Sequence, residues 1–252
     1  NTELSELLAH EQPDVVVIAT PTDLHASQSI MALDAGCHVF CEKPMALSVA
    51  ECVRMIEARD RSKKELMIGQ CIRFWPEYQY FHERLRCGDF GRLISFSMER
   101  IGTYPDLGSW FCDARRSGGA VLDLHIHDVD WTLYALGWPD ELYAAGRVGK
   151  TGGIDDITAL WNYDSGPVVD IRGSWMYAGE FTMGFRALFE DCALDYTLSE
   201  GLRVRKFGSQ AWERVVVDQE SAYEAEMRYF MECVWGVHSN TECTAESSKR
   251  AV

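Results

Sequence analysis

Residues 14–44 have the sequence DVVVIATPTDLHASQSIMALDAGCHVFCEKP, in which two short apolar runs flank a segment of helical character. The runs Asp14–Thr20 and His38–Cys41 are continuously apolar at their centres, as is typical of parallel strands covered by helices on both faces. Between them, Leu24–Ala35 is predicted to be a helix, and Gly36 is a suitable residue to end it. The stretch therefore predicts a strand–helix–strand unit.

The same alternation continues beyond this unit. Ser48 and Glu51 have the spacing of a capping box, which predicts a helix that extends to about Arg61. Leu66–Gly69 is a third short apolar run. Three strands that alternate with helices predict an α/β fold built on a doubly wound parallel sheet.

The pattern changes after Pro76. Apolar and polar residues alternate over 94–99, which indicates a strand with one solvent-exposed face. From Leu142 onward, several such strands are separated by turns, and residues 142–217 contain seven of the 18 Trp and Tyr residues. Helices are predicted at 76–86, 119–136 and 222–235. This region is therefore predicted to be an α+β domain with a large, mostly antiparallel open sheet.

That sheet also carries a prediction about assembly. Its strands leave a face with Trp161, Tyr163 and Trp175 to be covered. Because an apolar face of this size is rarely exposed in a monomer, we expect a homo-oligomer, a dimer or a tetramer. The alternative is that the helices of the chain itself cover these side chains.

The composition limits the class of protein. The 252 residues include 39 acidic and 24 basic side chains, for a net charge of −15, which argues against nucleic acid as a partner. No apolar run reaches the roughly 18 residues of a membrane-spanning helix, so no membrane is an expected partner. The nine cysteines lack a CxxC pair, which predicts reduced thiols in the cytoplasm. The sequence begins without Met, inside a predicted helix, and we expect it to be part of a longer chain.

Two motifs that could bind other ligands are set aside. Ala144–Thr151 departs from the pattern of a phosphate-binding loop at Ala144, and a strand pattern follows where that loop needs a helix, so a glycine-rich hairpin is favoured. His125 and His127 could bind zinc if they lay on a strand. The surrounding sequence favours a helix, where residues two apart point in different directions. We therefore predict no metal site.

On that helix, Asp123 and His127 are four residues apart and share one face, with Asp130 a further turn along. A carboxylate beside an imidazole fixes its tautomer and raises its basicity, which suits a general base near neutral pH. On spacing alone, however, a histidine that is merely hydrogen-bonded between a helix and a sheet is the commoner case.

Two loops follow the first two predicted strands. Thr20 and Pro21 begin the first loop, with His25 nearby, and the Glu-Lys-Pro triplet at 42–44 forms the second. Ligands of open α/β sheets bind beyond the carboxyl ends of the strands, which is where both loops lie. The proline, whose peptide bond can be cis, would hold Lys43 on that side of the sheet.

Taken in order, these segments resemble the Gfo/Idh/MocA-type oxidoreductases. The matching segments are Thr20-Pro21 with His25, 35–39 (AGCHV), Glu42-Lys43-Pro44, Arg73-Phe74 with Pro76, Gly88 with 91–94 (GRLI), 117–119 (SGG) with Asp123 and His127, Tyr223 with Glu226 and Phe230, and Cys243-Thr244. The resemblance covers essentially the whole chain. The Glu-Lys-Pro triplet and the later Gly-Gly…Asp…His spacing are fairly specific, and they favour the catalytic interpretation of Asp123 and His127.

The resemblance implies that residues 1–72 are the C-terminal half of a Rossmann dinucleotide-binding domain. Residues 73–252 would then be an α+β domain for substrate binding and oligomerisation. The glycine-rich pyrophosphate loop is expected upstream of Asn1. The implied cofactor is NAD or NADP, and the implied substrate is a sugar, inositol or related polyol. The residues expected to contact the cofactor are Thr20, Pro21, His25, Glu42, Lys43, Pro44 and Arg73.

The same resemblance implies catalytic roles for three residues. His127 would take the proton of a secondary hydroxyl, Lys43 would stabilise the developing alkoxide, and Asp123 would orient His127. His125 stands where relatives often have glycine, so the pocket near the base is expected to be more crowded or more polar. Two alternatives stay open: a non-catalytic sensor of sugar or cofactor with this fold, and a glycoside hydrolase that uses bound NAD.

Overall fold

The computed structural model describes residues 4–252, which form two sheets and the helices around them. The helices are α1 (Leu4–Glu11), α2 (Thr22–Asp34), α3 (Val49–Ser62), α4 (Pro76–Cys87), α5 (Ala114–Ser117), α6 (Ile126–Leu136), α7 (Ala222–Val234) and α8 (Ala245–Lys249). The strands are β1 (Val15–Ile18), β2 (His38–Glu42), β3 (Leu66–Gly69), β4 (Leu93–Ile101), β5 (Glu141–Val148), β6 (Ile154–Asn162), β7 (Val168–Ser174), β8 (Thr182–Phe189), β9 (Cys192–Thr197), β10 (Gly201–Lys206) and β11 (Glu213–Arg214). None of the helices within 4–252 is long and apolar enough to cross a membrane.

The small sheet confirms the predicted parallel α/β unit. Its strands lie in the order β1-β2-β3, all parallel, with α2 and α3 as the connections. Half of the predicted capping box forms: the Ser48 hydroxyl accepts the backbone N–H of Glu51 at 3.3 Å, while the Glu51 carboxylate accepts from that hydroxyl at 3.0 Å and not from the Ser48 backbone N–H. Gly36 follows α2 with a φ of +88°, a conformation that glycine adopts without strain.

The large sheet has eight strands in the order β11-β10-β9-β8-β4-β7-β6-β5. Every neighbouring pair is antiparallel except β4 and β7, which confirms a mostly antiparallel sheet. Residues 144–151 form the end of β5 and the turn into β6, so the element directly after Thr151 is a strand. The glycine-rich segment is therefore a hairpin, as predicted.

One face of the large sheet is covered by α4 and α6. Phe81 of α4 stacks on Trp131 of α6 at 5.1 Å and on Phe185 of the sheet at 5.3 Å. The expectation that Trp161 and Trp175 lie on an uncovered face is wrong, because they are only 3% and 5% exposed. The alternation of side chains along the strand correctly placed Trp161 on one face of the sheet. It could not show that the chain's own helices cover that face.

Tyr163 shares this environment. Its ring is half-buried, and its hydroxyl donates to the Gly137 carbonyl at 2.9 Å, just past the end of α6. The aromatic residues named in the sequence analysis therefore belong to the intramolecular core and its margin. Any contact between copies of the chain has to use other side chains.

The chain returns to the small sheet after the large one. Phe230 of α7 packs edge-on against Phe40 of β2 at 5.5 Å, and Thr244 forms an isolated antiparallel bridge with Met67 of β3. Ala245 of α8 is buried in the core of the small sheet. Residues 222–252, predicted to belong to the second domain, thus pack on the first.

Two buried ion pairs fix α6 between the sheets. Arg73, in the 3-10 turn Cys71–Phe74, donates to both carboxylate oxygens of Asp130 at 2.8 and 2.6 Å. Arg100 of β4 donates to Asp128 at 2.9 Å. All four side chains are at most 5% exposed, so each charge depends on its partner for compensation.

We predict that Asp130→Ala lowers the free energy of unfolding by roughly 3–5 kcal/mol, because it leaves the Arg73 guanidinium buried without its counter-charge. Urea denaturation measures the change. Asp34→Ala is the matched control, since Asp34 pairs with Arg61 where both side chains are at least half exposed. That loss should stay within about 1 kcal/mol. Equal losses in the two variants would show that the buried pair contributes no more to the free energy of unfolding than the exposed pair.

Candidate active site

Lys43 lies directly after β2, at the carboxyl edge of the small sheet. The Lys43–Pro44 peptide bond is cis. The Lys43 ammonium donates to the Asp123 carboxylate at 2.9 Å and to the Asp123 backbone carbonyl at 2.8 Å. The structure therefore brings together two predicted catalytic residues that are far apart in the sequence. An ammonium has three N–H donors, and Asp123 takes two of them.

The two predicted loops meet through His25, which is buried. One ring nitrogen of His25 lies 2.8 Å from the Pro44 carbonyl oxygen, and the other lies 2.9 Å from the Thr20 carbonyl oxygen. The Thr20 hydroxyl donates to Gln28 at 2.7 Å. His25 therefore acts through these contacts to hold the loop after β1 against the loop after β2.

His127 is half-buried, and its Nδ1 atom is buried without a hydrogen-bond partner in the described chain. Desolvation, with the positive charges of Lys43 and Arg100, holds the pKa of His127 well below its usual value. The imidazole is therefore neutral near pH 7 and can accept a proton.

Asp123 and His127 make no hydrogen bond with each other in residues 4–252, although their spacing predicted a contact. Asp123 lies in the π-helical turn Val121–His125, which precedes α6. A π-helical turn contains more residues than an α-helical one, so residues four apart lose their alignment on one face. The Asp123 carboxylate turns to Lys43 instead. Orientation of His127 by Asp123 stays a prediction without a contact to support it.

The Arg73 side chain is buried, and its N–H donors are engaged by other groups of the protein. Its guanidinium binds Asp130, the Glu242 carbonyl oxygen and the Ser247 hydroxyl, and it lies over the Tyr134 ring at 4.8 Å. These partners occupy the donors that a cofactor would need. The structure thus gives Arg73 a place in the internal scaffold and does not support its prediction as a cofactor contact.

Glu226 of α7 is a buried acid to which the sequence analysis gave no role. Its side chain is almost fully buried, and Oε1 has no hydrogen-bond partner among the described residues. Burial, followed by the negative charge of Glu42, raises the pKa of Glu226 to about 9, so the carboxyl is uncharged near neutral pH. The sequence did contain a signal, because Glu226 shares a helix face with Ala222 and Phe230, which are buried.

No three His, Cys, Asp or Glu side chains within 4–252 are arranged to hold a metal ion. His125 and His127 point to different surroundings. His125 is buried against Gly173 of β7, where an added Cβ would lie 2.8 Å from the His125 Cβ. The site consists instead of an ammonium, a carboxylate and a neutral imidazole, which together can stabilise a negative oxygen and accept a proton.

The chain combines a parallel sheet that has a lysine turn at its carboxyl edge with a large mixed sheet. Residues 1–70 match the oxidoreductase family with an NAD-binding Rossmann fold, and residues 78–194 match the GFO/IDH/MocA C-terminal domain. The chain belongs to the Gfo/Idh/MocA family, as its motifs indicated.

Three similar proteins illustrate the range of that family. The 2,7-anhydro-N-acetylneuraminate hydratase of Escherichia coli is 33% identical over 138 residues, or 54% of this chain and 37% of the hydratase. The myo-inositol 2-dehydrogenase of Thermotoga maritima is 30% identical over 176 residues, or 67% of this chain and 52% of the dehydrogenase. The structure of UDP-N-acetylglucosamine 3-dehydrogenase from Acidithiobacillus ferrooxidans has a TM-score of 0.81 and 26% identity, covering 100% of this chain and 78% of that one. The chain thus spans about half, or less, of the length of the curated relatives it matches.

The burial of His125 makes stability depend on pH. Burial, together with the charge of Arg100, lowers the pKa of His125 to about 4. In the unfolded chain the imidazole gains its proton near pH 6.5, while the folded protein resists protonation, so stability is lost as the pH falls through this window. We predict that His125→Gln reduces the loss of unfolding free energy between pH 7 and pH 5 by roughly 2 kcal/mol. Urea denaturation at the two pH values tests this, and an unchanged difference would contradict it.

Proposed function

We propose that the protein is an oxidoreductase that transfers a hydride between NAD(P) and a secondary alcohol of a sugar, inositol or related polyol. The observation that carries the proposal is the meeting of the Lys43 ammonium with the helical segment of Asp123 and His127, beyond the carboxyl end of β2. Ligands of open α/β sheets bind at this edge. The myo-inositol 2-dehydrogenase among the relatives supports the substrate class.

His127 is the proposed general base. Its neutral imidazole has a buried Nδ1 without a protein partner in residues 4–252, so one ring nitrogen can keep its hydrogen while the other accepts the hydroxyl proton. The nearby charge of Lys43 disfavours the imidazolium, which returns the proton readily once the reaction is complete. The vacant ring nitrogen suits proton transfer at a carbinol oxygen, whereas the lowered pKa weakens the base, so the transfer also depends on Lys43 to stabilise the alkoxide.

Lys43 is proposed to bind that same oxygen. Two of its N–H donors are held by Asp123, and this contact fixes the ammonium while leaving one donor for the substrate. The ammonium then faces the negative charge that grows on the oxygen as the proton leaves. A positioned donor of this kind contributes about 3 kcal/mol to the stabilisation of a transition state.

The residues at the sheet edge fit a dinucleotide. The turn at Thr20 and Pro21, with the aliphatic part of the Lys43 side chain, would hold the nicotinamide end, while His25 keeps the two loops together. When bound, the nicotinamide supplies the hydride acceptor or donor. Glu226, as a neutral acid behind Glu42, avoids a second negative charge in this region.

The relatives also favour a second candidate. One of them is a hydratase, so a protein of this family can carry out a reaction whose name implies no net oxidation. A non-redox conversion of a sugar derivative, which includes the glycoside hydrolase considered above, is therefore the alternative. Net formation of NADH or NADPH with a panel of polyols supports the dehydrogenase, whereas product formation without it supports the alternative. A sensor would bind ligand and give neither.

We predict that Lys43→Ala and His127→Ala each lower turnover by at least about 100-fold in the complete protein. Cofactor affinity should fall little with His127→Ala, because the imidazole addresses the substrate hydroxyl, whereas Lys43→Ala should weaken both functions. Steady-state kinetics and cofactor titration measure the two effects.

His125→Gln is the matched control for these variants, because His125 lies two residues from His127 but packs against Gly173. Its turnover should stay within a few-fold of the parent at neutral pH. Equal losses at His125 and His127, together with inactivation by a chelator, would replace the proposed base with a metal site. No loss in any variant would show that the fold has been kept without this chemistry.

The protein is also proposed to be a homo-oligomer, through the face of the large sheet opposite α4 and α6. On β6 and β7 the exposed side chains alternate with buried ones, and Leu160 and Val168 are each 47% exposed. Arg172 lies on the same face beside Glu99 and Asp156. Apolar side chains mixed with opposite charges suit a self-complementary interface.

A cytoplasmic location is also proposed for the protein, since the nine cysteines are all free.

We predict that light scattering of the protein at micromolar concentration gives the mass of a dimer or tetramer, and that Leu160→Asp shifts it toward the monomer. A carboxylate on this exposed face would be buried without a partner in the interface. Leu107→Asp is the control, because Leu107 is similarly exposed but lies outside the sheet. A monomeric parent, or equal behaviour of the two variants, would refute the proposed interface.

A further inference from the structure

A cysteine, a histidine and a glutamate form a hydrogen-bonded relay at the end of α7, on a different element from Lys43 and His127. The Cys233 sulfur lies 3.4 Å from Nδ1 of His238. Nε2 of the same imidazole lies 3.1 Å from the Glu232 carboxylate. Glu232 and Cys233 are consecutive residues of α7, and His238 follows after the turn that ends the helix.

These contacts select one tautomer of His238. A carboxylate can only accept, so Nε2 carries the hydrogen and donates it to Glu232. Nδ1 is then left with its lone pair facing the Cys233 thiol, which donates to it. A nucleophile beside a base, with the base oriented by a third group, is the arrangement that activates a thiol or hydroxyl for attack.

The relay opens onto a surface cavity of about 500 Å³, whose lining includes Cys233 and His238. Arg59, Ser239 and Asn240 lie around the same cavity and give it a polar rim. Cys233 itself is only 9% exposed, and it lines the cavity. A small reagent can therefore approach the thiol, whereas a protein disulfide cannot.

The thiol is protonated at rest. Burial and the carboxylate of Glu65 raise the pKa of Cys233, and the Tyr229 hydroxyl opposes this only in part. Activation therefore requires a base at the moment of attack, and His238 occupies that position. The Tyr229 ring stacks on the imidazole at 4.7 Å and holds it in place.

We propose that Cys233 is a site of reversible thiol modification, in which His238 and Glu232 activate the sulfur toward small-molecule disulfides. The thiol proton moves to Nδ1 of His238 while the Cys233 sulfur forms a bond with one sulfur of the disulfide. The S–S bond of the reagent breaks, and the departing thiolate takes that proton from Nδ1 of His238. The products are a mixed disulfide on Cys233 and one free small thiol, so atoms and electrons balance.

The test exposes the folded protein to bis(2-hydroxyethyl) disulfide, a small neutral reagent, and follows each cysteine by peptide mass mapping. Cys87, which is exposed and lies at the end of α4, reports the reactivity of an ordinary thiol in the same sample. Cys52, which is fully buried, reports any unfolding. We expect Cys233 to form a mixed disulfide that dithiothreitol reverses, while Cys52 does not react.

His238→Gln should lower the rate at Cys233 by at least about tenfold, since the base is lost, and should leave the rate at Cys87 unchanged. Glu232→Gln should cause a smaller loss, because its amide oxygen still accepts from Nε2. A reaction at Cys52 in His238→Gln would show that this variant is partly unfolded. In that case, the rate of modification at Cys233 in Glu232→Gln provides the test of the proposal. The proposal is overturned if Cys233 stays unmodified while Cys87 reacts. It is also overturned if the rate at Cys233 is unchanged or raised in the variants, because His238 then only shields the thiol.

Discussion

The structure depends on one helical segment, 121–136, whose three acidic side chains each bind a cation from a different part of the chain. Asp123 binds Lys43 of the small sheet's edge, Asp128 binds Arg100 of the large sheet, and Asp130 binds Arg73 between the two. A buried charge without a partner costs several kcal/mol, so the segment fits between the sheets in one position only. Because the two sheets share no strand, these pairs help to fix the lysine turn relative to the helix that carries the proposed base.

The same pairs decide the chemistry of His127. Every nearby carboxylate of the segment is already bound to a cation, so the histidine is left without an acidic neighbour to stabilise its charged form. Lys43 and Arg100 contribute positive charge, and burial adds to their effect, so the pKa of His127 lies well below its usual value. His127 is consequently a neutral base that gains its proton only from a substrate hydroxyl. The ion pairs are therefore part of the proposed site as well as of the scaffold.

The local features were predictable from the sequence, and the long-range ones were not. The strand Leu66–Gly69, the helix cap at Ser48 and the Lys43 turn all follow from neighbouring residues, and the structure has each of them. The ion pairs join residues 80, 57 and 28 positions apart, which no periodicity reveals. The acids at 128 and 130 in an otherwise apolar helix did signal buried partners, although not which ones. The contact predicted between Asp123 and His127 failed for a local reason, because the π-helical turn changes the angle between them.

His238 and His127 differ in their hydrogen-bond partners, and this difference suits their imidazoles to different roles. His238 has a carboxylate at Nε2, which fixes its tautomer and directs Nδ1 to a single thiol. His127 has no carboxylate partner in the described chain, so no protein group fixes its tautomer and the bound alcohol is free to do so. A fixed tautomer suits a reaction at one protein atom, since the geometry is complete before a reagent arrives. An unfixed one suits a base that must take a proton in one direction of a reversible reaction and return it in the other, because neither state is held by the protein.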